Sequence, residues 1–153
     1  MVPDRMHHLD LGLFRYQVTY TRDMLKSICG QIAIDDFDQR LAEIPRYPGL
    51  KVFKKGLGNI KQFTADEFRN MMKVLVFVVD GLIVKHRKSS MSFNTAKHLD
   101  NALVKLYVCW NKMYLFSQRD SFSDTGLVEF KECLFIVSVN CQFTKILIGQ
   151  QHM

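Results

Sequence analysis

Thr64-Ala-Asp-Glu-Phe-Arg-Asn-Met-Met-Lys-Val-Leu-Val-Phe-Val-Val-Asp-Gly-Leu-Ile-Val84 is the stretch on which the fold class turns. Its first four residues match a capping box, in which the Thr64 hydroxyl accepts from the Glu67 amide and the Glu67 carboxylate reaches back. Such a cap contributes about 1 kcal/mol and marks where a helix starts. A helix running on to Val84 would be roughly 30 Å long. Its second half is apolar nearly all round, so neighbours are expected to bury it on several sides. A rival reading takes Asp80-Gly81 as a β-hairpin turn between β-branched strands. The cap, the helix-forming Met71-Met72-Lys73 and the length of the pattern favour one helix, with Gly81 as an internal defect costing about 1 kcal/mol.

Working outward, Asp10 to Cys29 reads as an amphipathic helix with Phe14, Val18, Thr21, Leu25 and Ile28 inward and Gly30 at its C-terminal cap. Asp35 is expected to cap a short helix ending at Ile44, with Ile34, Phe37 and Leu41 inward and Pro45 as its stop. Residues 45–59 form a turn-rich connection. Phe93 to Gln118 carries Leu99, Leu103, Leu106, Trp110, Met113 and Tyr114 on one side. A last helix begins near Asp124 or Thr125, with Leu127, Phe130, Leu134, Val137 and Cys141 inward. The expected fold is all-α, a single domain over residues 1–153 built as a bundle of three long helices with short helical connectors, mostly antiparallel.

The chain has 153 residues, a net charge of +6 and 48% hydrophobic residues. That balance suits a globular domain and admits a polyanionic partner without demanding one. Cys29, Cys109, Cys133 and Cys141 form no Cys-x-x-Cys pair, so free thiols in a reduced intracellular setting are expected rather than a zinc site. Lys73, Asp80, Asn140 and Lys145 interrupt the apolar runs, and no membrane span is expected.

Chemistry-bearing residues gather in few places. Asp4, His7, His8 and Asp10 could offer metal ligands, but at this spacing they read better as the dressing of a helix start, and no metal or cofactor is expected. Arg46, Lys51, Lys54 and Lys55 are interleaved with Tyr47 and Phe53, a pattern that suits phosphate contact and base stacking. Lys85, Arg87 and Lys88 form a second basic cluster around His86. His86 and His98 read as solvated surface residues. No phosphate-binding glycine loop and no Gly-x-Ser-x-Gly elbow is present.

Three ordered motifs add a resemblance. They are Asp4-Arg-Met-His-His-Leu-Asp-Leu-Gly-Leu-Phe14, Leu41-Ala-Glu-Ile-Pro-Arg-Tyr-Pro-Gly-Leu-Lys-Val-Phe53 and Gln62-Phe-Thr-Ala-Asp-Glu-Phe-Arg-Asn-Met-Met-Lys-Val-Leu-Val-Phe77. Together they resemble the transposase of Plavaka-type DNA transposons, fungal relatives of the CACTA group, over residues 2–137. The resemblance implies a ribonuclease-H-fold parent enzyme with two Asp and one Glu holding two divalent metals. It matches Asp4 and His7 to that family's Asp-x-x-His motif and the rest to the helical insertion before the Glu. The chain opens at this motif and the tail 140–153 is unmatched, so a non-catalytic fragment in an intracellular, nuclear setting is expected. Its leading function is then an insertion domain with weak, non-specific DNA affinity through Arg46, Lys51, Lys54, Lys55, Lys85, Arg87 and Lys88. The alternative is a helical protein-interaction module without nucleic-acid binding.

Overall fold

The computed structural model describes residues 11–51, 53–58, 63–119, 121 and 123–149, with side chains as far as residue 139. Six helices and no strand occur among the described residues, which excludes the hairpin reading of Asp80-Gly81. A π-helical turn over residues 11–14 leads into α1 (Arg15–Cys29), followed by α2 (Gln31–Glu43), α3 (Ala65–Val79) and α4 (Leu82–Lys85). The chain then forms α5 (Phe93–Phe116) and α6 (Asp124–Gly149). Only α5 and α6 are long, at 24 and 26 residues, while α1, α2 and α3 have 13 to 15. The organising helix is α5, which packs on α3, α4 and α6.

Local signals account for several helix ends. The Thr64 capping box forms as expected, with Glu67 N donating to Thr64 Oγ1 at 3.3 Å and Thr64 N donating to Glu67 Oε2 at 2.7 Å. Ser92 Oγ accepts from the Thr95 amide at 3.0 Å and starts α5. Gly30, at φ 91°, closes α1 by donating to Lys26 O at 3.0 Å, and its own carbonyl accepts from Ala33 N at 3.3 Å. That second bond starts α2 at Gln31, four residues before the expected Asp35 cap, and Asp35 instead accepts from the Gln31 side chain. Burial of Ala33 and Ile34 draws this first turn into the core.

The expected helix from Thr64 to Val84 is broken. It ends at Val79, Asp80 is extended, and Gly81 turns the chain at φ 69° into α4. Long-range partners hold the corner. Asp100 of α5 is buried and accepts from Gly81 N at 2.7 Å and Ile83 N at 2.9 Å. From the other side, Arg40 Nη1 of α2 donates to Val78 O at 3.2 Å and Asp80 O at 2.6 Å, satisfying carbonyls that the end of α3 leaves open. The corner keeps Val78, Val79, Leu82 and Ile83 all buried, although Phe77 of α3 is 70% exposed.

Buried side chains from α1, α2, α3, α4, α5 and α6 join one cluster. At its centre Phe14 meets Trp110, Phe68 and Tyr107 at ring distances of 5.3, 6.2 and 6.4 Å. Tyr107 donates to Thr21 Oγ1 at 2.9 Å, so the hydroxyl expected on the inward stripe of α1 is satisfied within the core. On α6 the inward face is carried by Cys133 and Val137 with Phe130, whereas Leu127 and Leu134 are exposed. Phe130 packs edge-on against Phe116 at 6.0 Å, which sets the roll of α6 differently from its simple periodicity. The Cys141 side chain lies outside the described residues.

Asp100→Ala strips two backbone donors of their acceptor and should lower stability by about 2–3 kcal/mol in urea unfolding with an unchanged m-value. Gly81→Ala forces a side chain into left-handed backbone and should lower it by about 1 kcal/mol.

Candidate functional site

The structure separates the basic residues that the sequence singles out. Lys51 pairs with Glu67 at the N-terminus of α3, and its backbone amide donates to Asn70 Oδ1 at 3.3 Å. Lys51, ahead of the Thr64 amide, holds the Glu67 carboxyl below its ordinary range. The 85–88 cluster lies beyond the other end of α3, roughly 20 Å away along its axis. There its lysines and arginine bond within the protein while staying exposed. Lys85 Nζ donates to Asp36 Oδ2 at 2.9 Å, Arg87 donates to Val84 O at 3.1 Å and covers the Phe93 ring, and Lys88 Nζ donates to Ser27 O at 2.9 Å.

His86, expected on the surface, is half-buried, with Nε2 2.6 Å from Asp36 Oδ2; His98 is exposed as expected. Burial alone would raise the Asp36 carboxyl, but hydrogen bonds from Lys85 and His86, with the charge and hydrogen bond of Arg40, outweigh it and hold it at about 2. This is a structural charge cluster tying α2 to α4.

Arg46, Lys54 and Lys55 are exposed and make no ion pair with another described residue. Beside them Tyr47 is 73% exposed, while Phe53 is core and stacks on Phe63 at 5.7 Å. The turn carrying Lys54 and Lys55 is latched to α2. Leu57 N donates to Asp38 Oδ1 at 3.1 Å, and Arg22 pairs with the same carboxylate. Gly56, at φ 61°, lies so close that an added Cβ would fall 2.5 Å from Asp38 Cγ.

A feature the sequence did not single out is an open groove of about 550 Å³ between α1, α5 and α6. Leu13, Tyr16, Tyr20, Trp110, Met113, Leu134, Val137 and Ser138 line it. Leu13 and Tyr16 are exposed rather than packed against the core, and Leu134 joins them because of the roll of α6. Trp110 is buried, and its indole N–H has no acceptor among the described residues. Val128, Phe135 and Val139 extend the exposed apolar surface along α6. The signal was present as apolar residues flanking the main helical stripes.

Asp4, His7, His8 and Asp10 lie outside the described residues. Among the described residues no group of three or more His, Cys, Asp and Glu could hold a metal ion, and no helix is long and apolar enough to cross a membrane. Comparison of the chain with protein-family models, curated proteins and solved structures finds no match.

The sign of the Asp36 effect follows from its depressed carboxyl. The cluster's contribution is complete above the unfolded carboxylate range near pH 4 and is lost as pH falls through about 2. Asp36→Asn should therefore lower stability at pH 7 by about 1–2 kcal/mol and flatten the acid limb between pH 4 and pH 2 in denaturant titrations.

Proposed function

We propose that this chain is a helical protein-interaction module, working by docking a partner helix in the groove between α1, α5 and α6. The observation that carries this reading is the groove itself, apolar in lining and flanked by exposed Leu13, Tyr16 and Leu134. An amphipathic helix presents a matching stripe of apolar side chains at i, i+3, i+4 and i+7. The net charge of +6 favours a partner helix with an acidic polar face. The motif resemblance to Plavaka-type transposases supports placing such a module as a helical insertion domain, without catalysis of its own and in a nuclear setting.

The reading of weak, non-specific DNA binding is favoured by a different observation, the exposed Arg46, Lys54 and Lys55 beside exposed Tyr47. With Lys51, Lys85, Arg87 and Lys88 engaged within the protein, about three phosphates would be neutralised. The slope of log K against log salt would then be roughly −2.7.

Trp110 is the one tryptophan of the chain and lies in the groove lining, so its fluorescence reports occupancy directly. Titration with a Leu/Glu amphipathic helical peptide should shift Trp110 emission saturably, and Leu134→Glu should weaken binding at least about tenfold, the scale of a lost apolar anchor. An unchanged affinity in that variant would reject the groove. Fluorescent duplex DNA provides the competing arm. A salt slope near −2.7 that disappears in the Lys54→Ala, Lys55→Ala double variant would favour the nucleic-acid reading instead.

A further inference from the structure

α5 buries its one acid and leaves every lysine exposed. The acid is Asp100, held by the Gly81 and Ile83 amides. Lys97, Lys105 and Lys112 form no ion pair with another described residue. They share one strip of the helix surface with Asn101, Val108 and Leu115. All six residues are exposed, and at about 100° per residue they lie within about 80° of one another around the axis. The strip runs on a different side of α5 from Trp110 and Met113, which line the groove. Toward α3 the basic surface continues, because Arg69 and Lys73 share a cleft of about 470 Å³ with Asn111, Leu115 and Gln118 of α5. Asp66 also lines that cleft and accepts from Asn70 Nδ2 at 3.2 Å.

The strip is ordered along its length. Asn101, Val108 and Leu115 repeat every seven residues and form one row, and Lys105 and Lys112, at the same repeat, form a second row beside it. Seven residues is the interval at which two helices meet along a shared seam, with apolar side chains in the seam and charges at its edge. We propose that this strip is a second docking surface and takes an acidic helix of a partner protein. The partner lies along α5 for roughly 27 Å, the reach from Lys97 to Leu115, or about five turns. Its apolar row covers Val108 and Leu115, and a row of glutamates faces Lys105 and Lys112. Charge complementarity decides the occupant. The strip holds no acid, so a glutamate row meets only cations and amides there, whereas a basic helix would meet like charges. A phosphate backbone would also pair the lysines, but it offers nothing apolar to Val108 and Leu115, which are 39% and 60% exposed. This surface goes beyond the groove between α1, α5 and α6 and does not depend on it.

The probe is a fluorescein-labelled peptide of three heptads with Leu in the seam and Glu at both edges, whose like charges keep it from pairing with itself. Its anisotropy is followed against the full chain carrying Leu134→Glu, so that the groove does not compete. Binding should saturate, and the dissociation constant should rise at least about fivefold between roughly 50 and 500 mM salt. Adding Lys105→Glu and Lys112→Glu together should weaken binding at least about tenfold, because two like-charge contacts replace two attractive ones. Far-UV circular dichroism and the melting temperature should not change, since both lysines are exposed. The same double substitution should gain binding of a matching peptide with Lys in place of Glu, a reversal that general damage to the fold would not produce. Absence of binding in the Leu134→Glu chain, or binding that ignores the two lysine reversals, would overturn the proposal. So would binding of fluorescent duplex DNA that the reversals abolish while the acidic peptide stays unbound. A silent Trp110 together with Lys105- and Lys112-dependent binding would reject the groove and leave this surface standing.

Discussion

The carboxylate of Asp100 holds the joint on which the bundle depends. A chain leaving α3 at Val79 must turn at once if Leu82 and Ile83 are to join the same core, and the turn leaves the Gly81 and Ile83 amides in need of an acceptor. One acid on α5 takes both, at 2.7 and 2.9 Å, and thereby fixes the register of α5 against α3 as well as the start of α4. Burying a charge is expensive unless it is fully hydrogen-bonded, and here two peptide dipoles take the place of water. Arg40 completes the joint from α2 by binding the outgoing carbonyls.

The same economy governs the neighbouring charges. Asp36 draws Arg40, Lys85 and His86 onto one carboxylate, so part of the basic cluster at 85–88 closes the α2–α4 contact. Surface ion pairs contribute little individually, yet they decide which donors already have a partner. Of the singled-out set, Arg46, Lys54 and Lys55 make no ion pair among the described residues, although Lys51, Lys85, Arg87 and Lys88 are exposed as well. The apolar groove, in contrast, follows from an α6 that is hydrophobic on more sides than α1 and α5 can cover. Helices of that kind seek further burial, and this is the physical basis of the proposed docking.

What could be read from the residues was what depends on near neighbours. The Thr64 box, the Gly30 stop, and the buried stripes of α1, α2 and α5 involve contacts within a turn or two, and they appear as expected. The break at Gly81 was hidden because it is settled by Asp100, 19 residues later, and by Arg40, 40 residues before Asp80. Read locally, Asp80-Gly81 allowed a hairpin or a helix defect, and the cap, the helix formers and the length of the pattern favoured the second, whereas the chain turns a corner there. The roll of α6 was equally remote, since Phe130 answers to Phe116 across the connection. His86 was misplaced for the same reason, its partner being 50 residues away in α2.

Gly30 has a consequence for chain length. A single residue serves as the last turn's closure for α1 and the first acceptor for α2, so the two helices meet with no slack between them. An α-helix advances about 100° per residue. One residue inserted at this point would swing α2 by that angle about its own axis, turning Phe37 and Leu41 toward solvent and carrying Asp36 away from α4. Substitution at the corner changes one contact, whereas insertion would rephase a whole helix. Relatives of this chain should therefore vary in length across the exposed stretch 45–49, where extra residues displace nothing buried, and keep the α1–α2 junction at one residue.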